Sequence, residues 1–278
     1  MLLASASART LPPLIYVGYL CLGIIFSSGA SASYDAAMSL YNTQEYASAL
    51  VPMRVSASNG NEDAQYMLGI MYSFAQGVSQ DYESAHWWYS LADLQGHAKA
   101  QYNLGVMYSR GYGVEVDLAK AENFTRKASD QGLPDAHYNL AVMYAEGKGV
   151  AKNILKANRL YQRAIEQKHT GSMHNFGVHL LEGLGSETNY PKAINLFKRA
   201  AKLGYALSQT QLGYLYFNGL GVPKDPVKGL AWTIIAAKQG NETAISNQSL
   251  YEKNMRSRQV TRAVKDAQTC IESSYKKC

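Results

Sequence analysis

Apolar residues along most of the chain recur at the spacing of an amphipathic helix. From residue 64 to 72, the positions i, i+4, i+7 and i+8 are held by Ala64, Leu68, Met71 and Tyr72. After a short loop, a second helical stretch begins at Asp81 and ends at Gly96. Aspartate accepts hydrogen bonds from the free N–H groups of a first helical turn, and glycine readily takes the left-handed conformation that ends a helix. The pattern therefore predicts two consecutive helices.

This helix pair returns every 36 residues. The segment LGIMYSFAQGV, which begins at Leu68, is followed at that spacing by LGVMYSRGYGV, LAVMYAEGKGV, FGVHLLEGLGS and LGYLYFNGLGV. The second helices open at Asp81, Asp117, Asn153, Asn189 and Asp225, and they close at Gly96, Gly132, Lys168, Gly204 and Gly240. Five copies without a gap predict a helical repeat array. Because lysine replaces glycine at position 168, we expect the turn there to be less well formed.

A small residue also lies inside the first helix of each pair. This column consists of Gly69, Gly105, Ala141, Gly177 and Gly213. Glycine in a helix interior costs roughly 1 kcal/mol relative to alanine. A cost repeated in one column indicates that the bare backbone packs closely against a neighbouring helix at that point.

The pattern A-x-x-x-L-G-x-x-Y-x-x-G-x-G-V-x-x-D-x-x-x-A resembles the Sel-one-like repeat (SLR) family, which is related to the tetratricopeptide repeats. The resemblance covers residues 61–240, as five repeats of 36 residues. It implies an all-α fold, a right-handed α/α superhelical solenoid of helix-turn-helix repeats whose first helices line a concave face. Members of the family are mostly adaptors that hold protein complexes together, and many are exported bacterial proteins.

The two ends of the array depart from the repeat pattern, as solenoid caps do. Residues 33–60 predict a shorter capping helix pair, and residues 241–278 predict C-terminal capping helices with a basic tail. In the tail, one amphipathic helix has an apolar side made of Val260, Ala263, Val264, Ala267 and Ile271 and an outer face with Arg258, Arg262 and Lys265.

Residues 1–32 have the organisation of a secretory signal peptide. Arg9 precedes the apolar run 14–26, and small residues at Ala30 and Ala32 follow it. We predict cleavage after Ala32 and export to the periplasm or the medium. A bacterial envelope is the expected setting. The alternative is an uncleaved anchor, but the apolar run is shorter than the roughly 20 residues that a membrane-spanning helix needs. No stable membrane insertion is expected after cleavage.

Charge in the sequence is concentrated at the C-terminal end. The chain has 27 Lys and Arg against 21 Asp and Glu, a net charge of +6, and removal of residues 1–32 leaves +5. Residues 250–278 carry +4 of this charge, so the repeats are nearly neutral in sum. Nucleic-acid binding is not expected, because it requires clustered cations on a recognisable module and the repeats show neither in sequence.

Cys270 and Cys278 are the cysteines that remain after signal cleavage, and an even pair in an exported chain permits a disulfide. Eight residues along one helix span about 12 Å, which is too far for a disulfide. The bond therefore requires the last turn to fray or bend back, and the sequence leaves both states open.

Catalytic and metal-binding motifs are absent from the sequence. His169, His174 and His179 are five residues apart, so a helix turns them to different sides and they do not converge on a metal ion. Some secreted cysteine-rich SLR relatives are described as penicillin-binding or β-lactamase-like, but the chain lacks their paired cysteines within the repeats. We therefore expect no enzyme activity, no metal and no cofactor. The alternative is an enzyme or receptor acting on cell-wall glycan or a β-lactam, with Glu146 and Glu182 as the carboxylate pair to test.

What remains is a binding surface on the first helices, which the resemblance places on the concave face. The candidate contact residues are Tyr66, Ser73, Tyr102, Ser109, Arg110, Tyr138, Glu146, His174, Glu182, Thr210, Phe217 and Asn218. Tyrosine suits recognition because it has a rigid apolar body and a polar tip, although packing between neighbouring repeats explains the tyrosine column equally well. The interpretation is an exported, non-enzymatic scaffold or adaptor that binds a protein or an extended peptide on the concave face.

Overall fold

The computed structural model describes residues 27–278, and within them it contains fourteen α-helices and no strand. The helices are α1 Ser27–Asn42, α2 Tyr46–Ser58, α3 Glu62–Ser73, α4 Tyr82–Leu94, α5 Ala98–Arg110, α6 Leu118–Asp130, α7 Pro134–Glu146, α8 Ile154–Glu166, α9 Thr170–Glu182, α10 Tyr190–Lys202, α11 Ala206–Asn218, α12 Pro226–Ala237, α13 Glu242–Lys253 and α14 Ser257–Glu272. Residues 1–26, and with them most of the predicted signal segment, lie outside the described residues. Helix α1 begins inside that segment and continues across the predicted cleavage point after Ala32.

The helices stack as consecutive pairs, which confirms the predicted α/α solenoid. Each first helix contacts the second helix of its own pair, and each second helix contacts the first helix of the next pair. We call α3, α5, α7, α9 and α11 the first-helix layer, and α4, α6, α8, α10 and α12 the second-helix layer. Helix α14 contacts α12, so it extends the second-helix layer beyond the last repeat.

The N-cap residues and the terminating glycines predicted from the sequence lie at the ends of the second helices. The side chains of Asp81, Asp117, Asn153, Asn189 and Asp225 each accept a hydrogen bond from a first-turn N–H at 2.9 to 3.0 Å. The four glycines that follow these helices have φ between +80° and +88°. Lys168 takes the same left-handed conformation at φ +63°, and the next residue donates to the Ala164 carbonyl at 3.1 Å as in the glycine turns. The expectation of a poorly formed turn at Lys168 is therefore wrong.

The small-residue column marks close contact between the two helices of a repeat. A Cβ on Gly105 would lie 2.5 Å from Thr125 Oγ1 and 3.2 Å from the Ala121 carbonyl oxygen. A Cβ on Gly177 would lie 2.7 Å from the ring of Phe197. Such distances are well inside van der Waals contact, so the absence of a side chain allows the helices to approach. The packing inferred from the helix-propensity cost is confirmed.

The hydrophobic core is divided along the solenoid. One cluster joins α1, α2 and α3, a second joins α4 and α5, and a third runs without interruption from Leu140 to Cys270. Helix α6 lies between the second and third clusters. Its buried residues are Ala121, Thr125, Ala128 and Ser129, so no large apolar side chain of α6 is buried. The C-terminal repeats therefore share a continuous core, and the core is thinnest at α6.

The C-terminal cap is closed by a disulfide between Cys270 and Cys278. Helix α14 ends at Glu272, and positive φ angles at Ser274 and Tyr275 turn the chain back. The two cysteine Cα atoms consequently lie 4.8 Å apart, which is within the range that a disulfide bridges.

Helix α14 packs through its smallest side chains. Ala263, Ala267 and Cys270 are its buried residues, whereas Val264 is 48% exposed. The predicted apolar side of this helix is therefore wrong at Val264, because α14 contacts the repeats along a narrower stripe than the sequence pattern indicates. Within residues 27–278, no helix combines the length and the apolar character that crossing a membrane requires.

Candidate partner-binding cleft

A cleft of about 950 Å³ lies along the first-helix layer. It is lined by α3, α5 and α7, together with residues of α4 and α6. Helices α5 and α7 contribute Val106 and Val142, and the glycine loops contribute Tyr112 and Lys148. The first residue of α4, Tyr82, completes one side. We call this feature the central cleft. It involves three consecutive repeats, so its shape depends on the stacking of the solenoid.

Aromatic rings and a guanidinium group form one side of the central cleft. The rings of Tyr82 and Tyr112 are stacked, with centroids 5.0 Å apart and planes 10° apart. The Arg110 guanidinium lies 6.0 Å from the Tyr112 ring centroid, and its Nη1 donates to Tyr112 Oη at 3.4 Å. These contacts hold an otherwise exposed cation beside a rigid aromatic surface.

Amide side chains lie on the other side. Asn139 Nδ2 donates to Tyr102 Oη at 3.1 Å, and Asn103 is hydrogen-bonded to Tyr89. Burial raises the pKa of the phenols of Tyr89 and Tyr102 above their ordinary value, so both remain neutral hydrogen-bonding groups. The cleft thus combines fixed aromatic rings, carboxamides and two cations, Arg110 and Lys148.

The asparagines were missed among the sequence candidates, although they form a column of their own. Asn103, Asn139 and Asn175 follow one another at the repeat spacing of 36 residues, and Asn175 Nδ2 donates to Tyr161 Oη at 3.2 Å. The candidate list followed the position directly before each asparagine, at Tyr66 and its equivalents. Repetition of a polar residue beside the Leu-Gly pair was the signal that could have identified these amides.

Four of the twelve candidate contact residues line the central cleft: Ser73, Tyr102, Ser109 and Arg110. Ser73 Oγ lies 3.2 Å from Tyr89 Oη, whereas Ser109 Oγ donates to the Val106 carbonyl in its own helix at 2.9 Å. The sequence therefore identified one part of the cleft, from the first helices. The loop residues Tyr112 and Lys148 were not identified, because their column varies between the repeats.

Five consecutive segments of the chain match the family model of the Sel1 repeat, at residues 62–97, 98–133, 134–169, 171–205 and 206–241. The chain belongs to the Sel1 repeat family. This confirms the resemblance drawn from the repeat pattern, and it divides the chain at nearly the same positions.

Solved structures of Sel1 repeat proteins share the fold. A Sel1 repeat protein from Oxalobacter formigenes is 30% identical, with a TM-score of 0.71 over 77% of this chain and 88% of that chain. A protective antigen present in uropathogenic Escherichia coli strains, which displays an SLR fold, is 26% identical, with a TM-score of 0.59 over 89% of this chain and 63% of that chain. Among curated proteins, none matches this sequence.

Outside the cleft, the Sel1 repeats use two of the candidate tyrosines for packing. The Tyr66 ring stacks on His97 with centroids 4.6 Å apart, and the Tyr138 ring lies 4.7 Å from His169. Each histidine is the N-cap of the next first helix and accepts a backbone N–H through Nδ1. These two tyrosines therefore connect one Sel1 repeat to the next.

Three further candidates lie inside the Sel1 solenoid. Thr210 is buried, and its Oγ1 lies within hydrogen-bonding distance of the Ala206 carbonyl and of Asn241 Oδ1. His174 is mostly buried against Phe197 and beside Ser208, and burial lowers the pKa of His174 to about 4. Phe217 stacks on Tyr251 of α13 with centroids 3.7 Å apart. The C-terminal cap covers the last of these positions.

The remaining candidates are exposed. Asn218 Nδ2 donates to a carbonyl of its own helix, and Glu146 is ion-paired with Lys148 at 2.6 Å. Within the described residues, no hydrogen bond or ion pair joins Glu146 to Glu182. Nor does any group of three or more His, Cys, Asp or Glu side chains come together there in a way that could hold a metal ion.

Proposed function

We propose that this Sel1 repeat protein is an exported, non-catalytic adaptor that binds an extended segment of a protein partner along its first-helix layer. Sel1 repeats generally mediate protein–protein interactions, and proteins built from them are generally non-catalytic scaffolds. The proposal adds to this the surface that is used, the form of the ligand and the compartment.

The observation that carries the proposal is the composition of the central cleft. Tyrosine and arginine are enriched among the residues that dominate binding energy at protein interfaces. The cleft holds Arg110 against Tyr112, and Tyr102 against Asn139, by hydrogen bonds. The amides of Asn103 and Asn139 add donors and acceptors suited to the backbone of an extended peptide. Because the cleft involves three repeats, binding would be distributed over several units.

Two observations support the exported state. The first 32 residues have the order of charged, apolar and small residues found in secretory signals. The disulfide between Cys270 and Cys278 is a bond that persists in oxidising compartments such as the bacterial periplasm. Determining the N-terminus of the protein recovered from cells tests this part directly, since the proposal requires it to start at Ser33.

The binding surface is tested by photo-crosslinking in the native host. A benzoylphenylalanine at Val106, inside the cleft, should capture a discrete protein partner, and the same residue at Val264, on the exposed side of α14, should not. In a chain that carries the crosslinker at Val142 of the same cleft, Val106→Trp should block the cleft and abolish capture while the circular dichroism spectrum stays unchanged. Val178→Trp is the matched control, because Val178 holds the same position two repeats later and outside the cleft.

Two outcomes would overturn the proposal. Equal capture from Val106 and Val264 would mean that the cleft is not the contact surface. Recovery of glycan fragments in place of protein would favour the alternative of a cell-wall enzyme or receptor, and Glu182→Gln would then be assayed for loss of activity in a folded protein.

A further inference from the structure

Positive charge is concentrated on part of the second-helix layer, although the repeats are nearly neutral in sum. Helix α10 contains Lys192, Lys198, Arg199 and Lys202 and no acidic residue. Helix α8 contains Lys156, Arg159 and Arg163, with Glu166 at its last position. The sequence interpretation, that the repeats lack clustered cations, is therefore wrong for the folded molecule. Lys156 and Lys192 hold equivalent positions 36 residues apart, as do Arg163 and Arg199, so repeat stacking places them in neighbouring repeats.

We call the exposed cations of these two helices the basic face. It consists of Lys156, Arg159, Arg163, Lys192, Arg199 and Lys202. Among the described residues, none of the six makes an ion pair with a carboxylate, whereas Lys120 and Lys127 of α6 pair with Asp117 and Asp93. Glu166 is the one carboxylate on these two helices, and it pairs with none of the six cations. The cations therefore repel one another, and an anionic partner would be favoured at this surface.

The form of the basic face favours a broad partner over a small anion. Lys156 and Lys192 lie over the rings of Tyr144 and Phe176, which fixes their stems, while the arginines extend into solvent. A shallow depression of about 380 Å³ runs along α8 beside Arg159 and Arg163, and the neighbouring Leu155 is 58% exposed. Long cationic side chains with an apolar residue between them are typical of protein surfaces that lie against lipid headgroups.

Acidic and basic residues are also distributed unequally between the N-terminal part of the chain and the rest. Residues 33–98 contain seven acidic side chains and Arg54 as their one basic residue, a net charge of −6. Residues 99–278 contain 25 basic and 14 acidic side chains, a net charge of +11. Such a molecule is oriented by a negatively charged surface, with its N-terminal repeats directed away from it.

We infer that the basic face of α8 and α10 docks the protein on an anionic phospholipid surface. Docking is peripheral and electrostatic, with Leu155 reaching the headgroup region. The face belongs to the second-helix layer, so the central cleft in the first-helix layer stays open to a protein partner. This inference does not rest on the proposed function, because the two sites share no residue.

The test is binding of the purified protein to vesicles of equal parts phosphatidylglycerol and phosphatidylcholine, against vesicles of phosphatidylcholine alone. Each cation at an anionic lipid surface strengthens partitioning by about fivefold. Replacement of three cations, as Arg163→Gln with Arg199→Gln and Lys202→Gln, should therefore weaken it by on the order of a hundredfold.

The matched control is Arg258→Gln with Arg262→Gln and Lys265→Gln on α14, which removes the same charge from the end of the second-helix layer, outside the basic face. We expect it to weaken partitioning by less than about fivefold. Equal losses in the two triple variants would overturn the inference, since binding would then follow net charge alone. Binding to a polyglutamate peptide but not to the anionic vesicles would overturn it in favour of an acidic protein partner.

A second measurement determines which helix layer of the protein contacts the vesicle surface. An environment-sensitive dye attached at Leu155→Cys should respond to phosphatidylglycerol vesicles, and the same dye at Val106→Cys in the cleft should not. Cys270 and Cys278 are joined in the disulfide, and the third cysteine, Cys21, is replaced by serine, so labelling is confined to the introduced thiol. A response at Val106→Cys and none at Leu155→Cys would place the lipid on the wrong layer.

Discussion

Gly213 lies where α11 and α12 approach most closely, and its replacement by alanine is a direct test of why glycine interrupts the first helices. A Cβ at this position would overlap Thr233 Oγ1 and would lie 3.1 Å from the Gly229 carbonyl oxygen. Thr233 is fully buried, and its hydroxyl donates to that same carbonyl at 2.9 Å. Rotation of Thr233 away from the new methyl group would therefore break a buried hydrogen bond.

The expected change in the free energy of unfolding is the sum of three contributions. Alanine improves helix propensity by about 1 kcal/mol, and overpacking of the core costs about 1–3 kcal/mol. A buried hydroxyl left without its partner costs a further 1–3 kcal/mol or so. We expect Gly213→Ala to lower the free energy of unfolding by about 1–5 kcal/mol, against the direction that helix propensity alone predicts.

Gly177→Ala is the matched comparison, one repeat earlier. Its Cβ would meet the Phe197 ring at 2.7 Å, and no backbone atom of the partner helix is among its nearest contacts. The third repeat already has Ala141 in this column, opposite the aromatic ring of Tyr161. The ring can shift without losing a hydrogen bond, so the expected loss is about 0–2 kcal/mol.

The assay is urea unfolding followed by circular dichroism and by the fluorescence of Trp232, which lies in α12 next to Thr233. Gly213→Ala with Thr233→Ala should be less destabilised than the sum of the two single variants, because the second change removes the overlapping atom. Stability of Gly213→Ala equal to or above that of the parent protein would refute the reasoning.

Three further predictions concern a histidine, a turn and the disulfide. Because burial lowers the pKa of His174 to about 4 from 6.5, the unfolded chain binds the extra proton and stability is lost as pH falls from 6.5 towards 4. His174→Gln should flatten that part of a profile of unfolding midpoint against pH, and an unchanged profile would contradict this. Lys168→Gly should raise the free energy of unfolding by about 1 kcal/mol in urea, because it removes a left-handed lysine, and an unchanged midpoint would argue against strain at that turn. Cys278→Ser should destabilise the C-terminal cap by about 2–3 kcal/mol, seen as faster amide exchange in α14, and equal exchange would show that the bond does not hold the cap.

Features set by the repeat period could be predicted from the sequence. The helix pairs, their N-caps and the small-residue column each occupy the same position in every repeat, so a match at one spacing identifies them. The turn at Lys168 could not be predicted in this way. There the neighbouring repeats impose the left-handed conformation on lysine, and that constraint is not visible in a local pattern.

The candidate site was predicted less completely, because one column position meets different surroundings in different repeats. Tyr66 and Tyr138 pack on the histidines of the following repeats, Tyr102 lines the cleft, and Thr210 is buried. The sequence does not distinguish these outcomes. They depend on the residue 31 positions later, which is histidine after Tyr66 and Tyr138 and leucine after Tyr102.

The thin core at α6 also determines how the solenoid bends. A rod flexes where its cross-section is least stiff. Helix α6 buries only small side chains, and its ring, Phe124, is partly exposed against Tyr108 of α5, whereas α8, α10 and α12 bury rings and branched chains. Flexing at this point changes the angle between α5 and α7, and those are the helices that line the central cleft. The width of the cleft and the pitch of the whole array are thereby coupled, so a ligand that fills the cleft would also set the distance between the two ends of the molecule.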